Sequence, residues 1–212
     1  METQIHKQKK WSKAMVAYHW LAAIAITGLL LTGISHMTVL DPHDVVANAM
    51  HMASQHGLTI PKQVARVFGF AVNGAVMNIH FILGYSLAIL IIFRIILFFA
   101  GDNRVFKMAK KSFQPGVNKH KPLVNILYLT LYAGILVMAL TGLSMKFGGD
   151  LGISHSFHEV LLTIHQGVMF CILAFVFVHI IGIFRAENTD QPGVASSMMS
   201  GIGEEDEVLK NS

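Results

Sequence analysis

The chain is 212 residues long, 53% hydrophobic and only 13% charged. A soluble domain carries about a quarter charged residues, so a water-surrounded globule of this composition is excluded. A single cysteine, Cys171, excludes an intramolecular disulfide, a zinc–thiolate cluster, an iron–sulfur cluster and thioether-linked haem. The formal charge of +4 comes from Lys and Arg clustered at a few places in the chain, a pattern that calls for a membrane and not for nucleic acid.

Taken in order, the chain begins with a basic tail, residues 1–13, holding Lys7, Lys9, Lys10 and Lys13. The first apolar run, 14–35, contains His19 and closes Leu31-Thr-Gly-Ile-Ser35. It is too long for the core of a cleaved signal peptide and reads as a retained span. Residues 36–78 form a long outer segment, with turns expected at Asp41-Pro42 and Pro61. Within it, 45–55 and 62–72 are expected to be short helices lying on the membrane surface. The second span, 79–100, opens Ile79-His80 and carries Arg94. A basic loop follows, with Arg104, Lys107, Lys110, Lys111, Lys119 and Lys121. The third span, 122–145, closes Leu140-Thr-Gly-Leu-Ser144, and a short outer loop to Glu159 holds His155 and His158. The fourth span, 160–184, contains His165 and His179. The tail, 186–212, is polar and expected to be solvated.

Each run is long enough to cross a hydrocarbon core. The fold expected is an all-α integral membrane protein, a single domain over 1–212 built as a four-transmembrane-helix bundle. The excess of Lys and Arg places both termini and the basic loop on the cytoplasmic side.

The chemistry lies in the polar residues inside the spans. His165 and His179 are 14 residues apart. That spacing brings them within about 40° of one helix face and separates them by roughly 21 Å along it, most of a ~30 Å core. Sorted by depth, His80 and His165 fall near the outer face, and His19 and His179 near the inner face with Arg94 beside them. Ionisable residues at such depths are costly and mark function. Two histidine pairs at matched depths suit two bis-histidine haems, whose irons keep no open position and so favour electron transfer over oxygen chemistry. Arg94 is placed to pair with a propionate of the inner haem, and Gly33 and Gly142 leave room for a flat macrocycle. The remaining histidines, His36, His43, His51, His56, His155 and His158, are expected in watery outer segments without a metal role. The two Leu-Thr-Gly closures, and the openings Ile79-His80 and Ile164-His165, suggest an internal repeat that matches His80 with His165.

These residues resemble the bacterial cytochrome b561 and Ni,Fe-hydrogenase b-type cytochrome superfamily. The likeness is carried by His80…Arg94-Ile-Ile-Leu-Phe-Phe-Ala-Gly101-Asp-Asn-Arg104 with Phe113-Gln-Pro115. It continues in His120-Lys-Pro-Leu…Met138-Ala-Leu-Thr-Gly142, and in His165…His179…Arg185-Ala-Glu187…Ser196-Ser-Met-Met-Ser-Gly201. The likeness departs in the outer segment 36–78, which it does not place. The resemblance implies two haem b groups, an outer one on His80 and His165 and an inner one on His19 and His179. It also implies a bacterial inner-membrane location and electron transfer between a periplasm-facing redox subunit, hydrogenase-like or another electron-transfer protein, and menaquinone or ubiquinone. Asn118, His120 and Lys121 match the quinone-side loop of related subunits, with His120 or Lys121 as proton donor. Two other readings remain: a stand-alone quinone or superoxide oxidoreductase, and a haem-free, histidine-lined proton or metal transporter.

Overall fold

Inside hydrocarbon every backbone N–H and C=O has to be satisfied within the chain, so long apolar runs become helices. The computed structural model describes residues 7–9, 13–99, 120–189, 193–200 and 202–204. Its helices are α1 (Lys13–Met37), α2 (Pro42–Gln55), α3 (Lys62–Phe99), α4 (His120–Lys146), α5 (His155–Asn188) and α6 (Val194–Ser200). Two three-residue strands, β1 (Lys7–Lys9) and β2 (Ile202–Glu204), pair antiparallel with Gln8 opposite Gly203. Helices α1, α3, α4 and α5 are each long and apolar enough to cross a membrane. The all-α, four-span expectation holds. Large apolar side chains along these helices, such as Leu21, Ile24, Ile82, Ile89 and Phe177, are exposed, as a lipid-facing surface requires.

The chain divides into two compact units, residues 22–103 and residues 1–21 together with 104–212. In the first, Asp41 does not make a free-standing turn. Its carboxylate accepts from the backbone N–H of His43 at 2.8 Å and of Asp44 at 3.3 Å, with Pro42 at the first helical position. That is an N-cap followed by proline, and it starts α2 slightly earlier than the apolar pattern suggested.

The separate surface helix expected at 62–72 is overturned: this stretch is the beginning of α3, which continues without a break to Phe99. With 38 residues, α3 is about 57 Å long at ~1.5 Å per residue, well beyond a ~30 Å core. No proline interrupts it, and α2 packs against its extension. A Cβ at Gly69 would lie 2.9 Å from Val46 Cγ2 and 3.0 Å from the Pro42 carbonyl, so only glycine permits the approach. Val46, Ala53 and Ala65 are buried in this hairpin.

In the second unit α4 packs on α5, burying Ile135, Leu161, Met169 and Ile172. Helix α5 starts at His155, capped by Ser154, whose hydroxyl accepts from Phe157 N–H at 3.3 Å. Residues 155–159, expected in a loop, therefore form its first turn.

The expectation of a solvated tail is also corrected. Glu187 turns its carboxylate onto the residues that follow α5, Oε1 accepting from Gly193 N–H at 3.0 Å and Oε2 from Ala195 N–H at 2.8 Å. Gly193 has φ +86°, a left-handed conformation that suits glycine. Ser197 is 1% exposed, and the Trp20 indole N–H donates to the Met198 carbonyl at 3.3 Å. A polar sequence folds back here because one carboxylate satisfies two backbone donors that a helix start leaves open. The acidic residues 205–207 and the rest of the C-terminus lie outside the described residues.

Removing that carboxylate tests the arrangement. Glu187→Ala leaves two part-buried N–H groups unsatisfied, which costs about 1–3 kcal/mol. Amide exchange across 193–198 is expected to quicken roughly tenfold or more, while exchange in the spans stays the same. Unchanged exchange at Gly193 and Ala195 would contradict the assignment.

Candidate functional site

The two Leu-Thr-Gly closures each place a threonine on a helix whose neighbour carries a histidine. Thr32, on α1, has its hydroxyl oxygen 2.8 Å from His80 Nδ1 on α3. The same hydroxyl lies 2.8 Å from the Gly28 carbonyl and 3.1 Å from the Leu29 carbonyl. Thr141, on α4, repeats this: 2.8 Å to His165 Nδ1 on α5, 2.7 Å to the Val137 carbonyl and 3.2 Å to the Met138 carbonyl. The partners are 48 residues apart in one case and 24 in the other, so the repeat is tertiary and not an accident of local spacing.

This geometry assigns the tautomer. Each hydroxyl has one proton and faces two carbonyl oxygens, which only accept, so its proton goes to the helix backbone. Its lone pair then accepts from Nδ1–H of the imidazole. That places the ring's own lone pair on Nε2, the form in which histidine binds a metal. Gly142 adds room: a Cβ there would stand 3.3 Å from His165 Cε1. Thr141 is 6% exposed, so its hydroxyl is shielded from water that would compete for the bond.

The second pair has no hydroxyl beside it among the hydrogen bonds described. The rings of His19, on α1, and His179, on α5, have centroids 6.3 Å apart and planes inclined at 57°. Two nitrogen–metal bonds of about 2 Å, with roughly 1.1 Å from each nitrogen to its ring centre, call for a separation of about 6.2 Å. The spacing fits a bis-imidazole iron. Phe175, one turn before His179, stacks on it at 5.8 Å and 10°, while Trp20 stands edge-on to His19 at 5.8 Å and 79°. Both rings thus have an aromatic side wall.

Other expected residues are placed as follows. Arg94 lies on α3, 14 residues beyond His80. His120 and Lys121 are in the first turn of α4; their side chains, and Asn118 altogether, lie outside the described residues. His36 is not in a loop: it is in the last turn of α1, its Nδ1 2.6 Å from the amide nitrogen of buried Asn73. Exposed His155 sits 4.0 Å from Glu159. Among the described residues no three His, Cys, Asp or Glu side chains converge as a metal cluster. Sequence reasoning missed Thr32, Thr141, Phe175 and Asn73. The threonines were legible in principle, since each stands in the same short motif at the depth of a histidine.

The chain belongs to the prokaryotic cytochrome b561 family, whose model matches residues 10–201. No curated protein and no solved structure matches it. It is accordingly a multi-pass bacterial membrane protein of b-type haem and electron transfer.

Replacing a hydroxyl tests the tautomer assignment. Thr141→Val keeps the shape of the side chain and loses the acceptor, and loss of such an outer partner costs roughly 10–100-fold in metal-site affinity. Haem titration into apoprotein is expected to show that loss in Thr141→Val and near-native binding in Thr141→Ser. Equal binding by the two variants would contradict the hydroxyl's role.

Proposed function

We propose that the chain is a di-haem b cytochrome that passes electrons between a redox protein at the outer face and the membrane quinone pool. The observation that carries this reading is the state of the two histidines on α5. His165 Nδ1 is 2.8 Å from the Thr141 hydroxyl, which favours the tautomer with its lone pair on Nε2, and the rings of His179 and His19 are 6.3 Å apart, a separation that suits a shared iron. The two are 14 residues apart, roughly 21 Å along one helix, so that helix serves both halves of the membrane.

His19 and His179 hold the inner haem; His80 and His165 hold the outer one, each backed by its threonine. Haem b, when bound, supplies a one-electron iron couple. The protein's part would be to hold each iron with two imidazoles, His19 with His179 and His80 with His165, which would favour electron transfer over oxygen chemistry. Arg94 offers a guanidinium to a propionate at the inner depth. Asn118, His120 and Lys121 make the quinone pocket, with His120 or Lys121 delivering protons from the cytoplasm. The clustered basic residues put both termini on that side of the inner membrane. A hydrogenase-like subunit, or another periplasmic electron-transfer protein, is the outer partner, and quinone reduction from inside then separates charge across the membrane.

The test is a haem count by pyridine haemochrome on purified protein. Two b haems per chain are expected, falling to one in His19→Ala and one in His80→Ala, with quinone reduction lost in both. One haem in the wild type, or no loss in either variant, would overturn the layered assignment.

A further inference from the structure

One buried polar pair near the outer end of α1 plays no part in the reading above. Asn73, on the extension of α3, is 8% exposed. Its amide nitrogen is 3.0 Å from the Leu40 carbonyl and 2.6 Å from His36 Nδ1. A carbonyl oxygen only accepts, so the atom facing Leu40 is the NH2 and the amide cannot be turned the other way. The same NH2 therefore donates to His36 Nδ1 as well. With Nδ1 accepting, the ring proton of neutral His36 is on Nε2. This is the reverse of His80 and His165, whose Nδ1 carries the proton. One tautomer suits a metal; the other presents an N–H donor.

Position says what the donor meets. His36 is one turn beyond Thr32 on α1, about 6 Å along the axis, and Asn73 is two turns from His80 on α3, about 10 Å. Both lie on the side of His80 away from Arg94, toward the loop that joins α1 to α2. An outer haem has two ionised propionates on one edge, and a carboxylate left in hydrocarbon is expensive. Propionates of a haem held by His80 would therefore turn to the nearer aqueous end, toward the end of α1 that carries His36.

We infer that His36, held by Asn73, donates from Nε2 to a propionate of the haem bound by His80. The assignment rests on the reading of His80 as a haem ligand. A charge-assisted bond of this kind is stronger than a neutral one and anchors the haem's rotation about its axial bonds. Asn73 is the positioning residue: it selects the tautomer without touching the haem. The segment 36–78, which lies within the residues the family model matches, then serves the outer haem directly.

Resonance Raman spectroscopy of the propionate bending band, with redox titration of both haems, tests this. In His36→Phe the band of one haem is expected to move to the frequency of a propionate without a donor. That haem's midpoint potential shifts with it, and the other haem stays as in the wild type. His36→Gln, whose amide can accept from Asn73 and donate onward, restores the band; Asn73→Leu moves it part of the way. An unmoved band and potential in His36→Phe would overturn the inference. Should His36→Phe lose a haem, His36→Gln decides: haem and band restored together support the bond, and haem restored without the band overturns it. His80→Ala separates the two levels. If it retains both haems, the ligand reading itself fails; if it loses one while His36→Phe changes nothing, only the His36 bond fails.

Discussion

A histidine inside an apolar slab has to use both of its ring nitrogens, and the rest of this structure depends on how that is done. At His80 and at His165 one nitrogen is taken by a threonine hydroxyl at 2.8 Å. The hydroxyl has already committed its proton to its own helix, so the imidazole is fixed in one tautomer and one orientation. Nε2 then carries the lone pair, which is the form the proposed haem ligation uses. On the proposed reading, the cost of an imidazole in lipid is turned into preorganisation, with the ligand set before the metal arrives.

The same demand explains where the helices come close. Gly142 gives His165 its space, and Gly69 lets α2 lie on the extension of α3. At the other end of α1 and α5 the solution is different, with two imidazoles 6.3 Å apart, His19 edge-on to Trp20 and His179 stacked on Phe175. Trp20 also donates to the carbonyl of Met198 in the folded-back tail, which Glu187 holds in place. A segment that looks like a polar tail is thus tied to the helix that carries His19.

Much of this was legible in the sequence. Apolar runs of spanning length gave the four long helices, because length and hydropathy alone decide whether a segment can cross a membrane. The depth of His19 and His179 singled out two residues whose rings lie 6.3 Å apart, inclined at 57°. The recurrence of Leu-Thr-Gly was visible too, though its meaning was not: a threonine's partner on another helix is a tertiary fact. The extension of α3 to Lys62 was missed because surface helix and span share the same local propensities, and only packing against α2 joins them. The fold of residues 193–200 was missed for a related reason. Glu187 acts on backbone donors six and eight residues away, and composition carries no trace of that. Asn118 was singled out from the sequence alone, and the structure describes neither it nor the side chains of His120 and Lys121.

The central claim is that four histidines close both axial positions of two irons. Low-temperature electron paramagnetic resonance of the oxidised, purified protein addresses it most directly. Two low-spin ferric signals and no high-spin signal are predicted. Because the rings of His19 and His179 are inclined at 57°, that pair is expected to give the signal of tilted and not parallel imidazoles. A stoichiometric high-spin ferric signal would show an iron with an open or water-filled position, and would contradict the account.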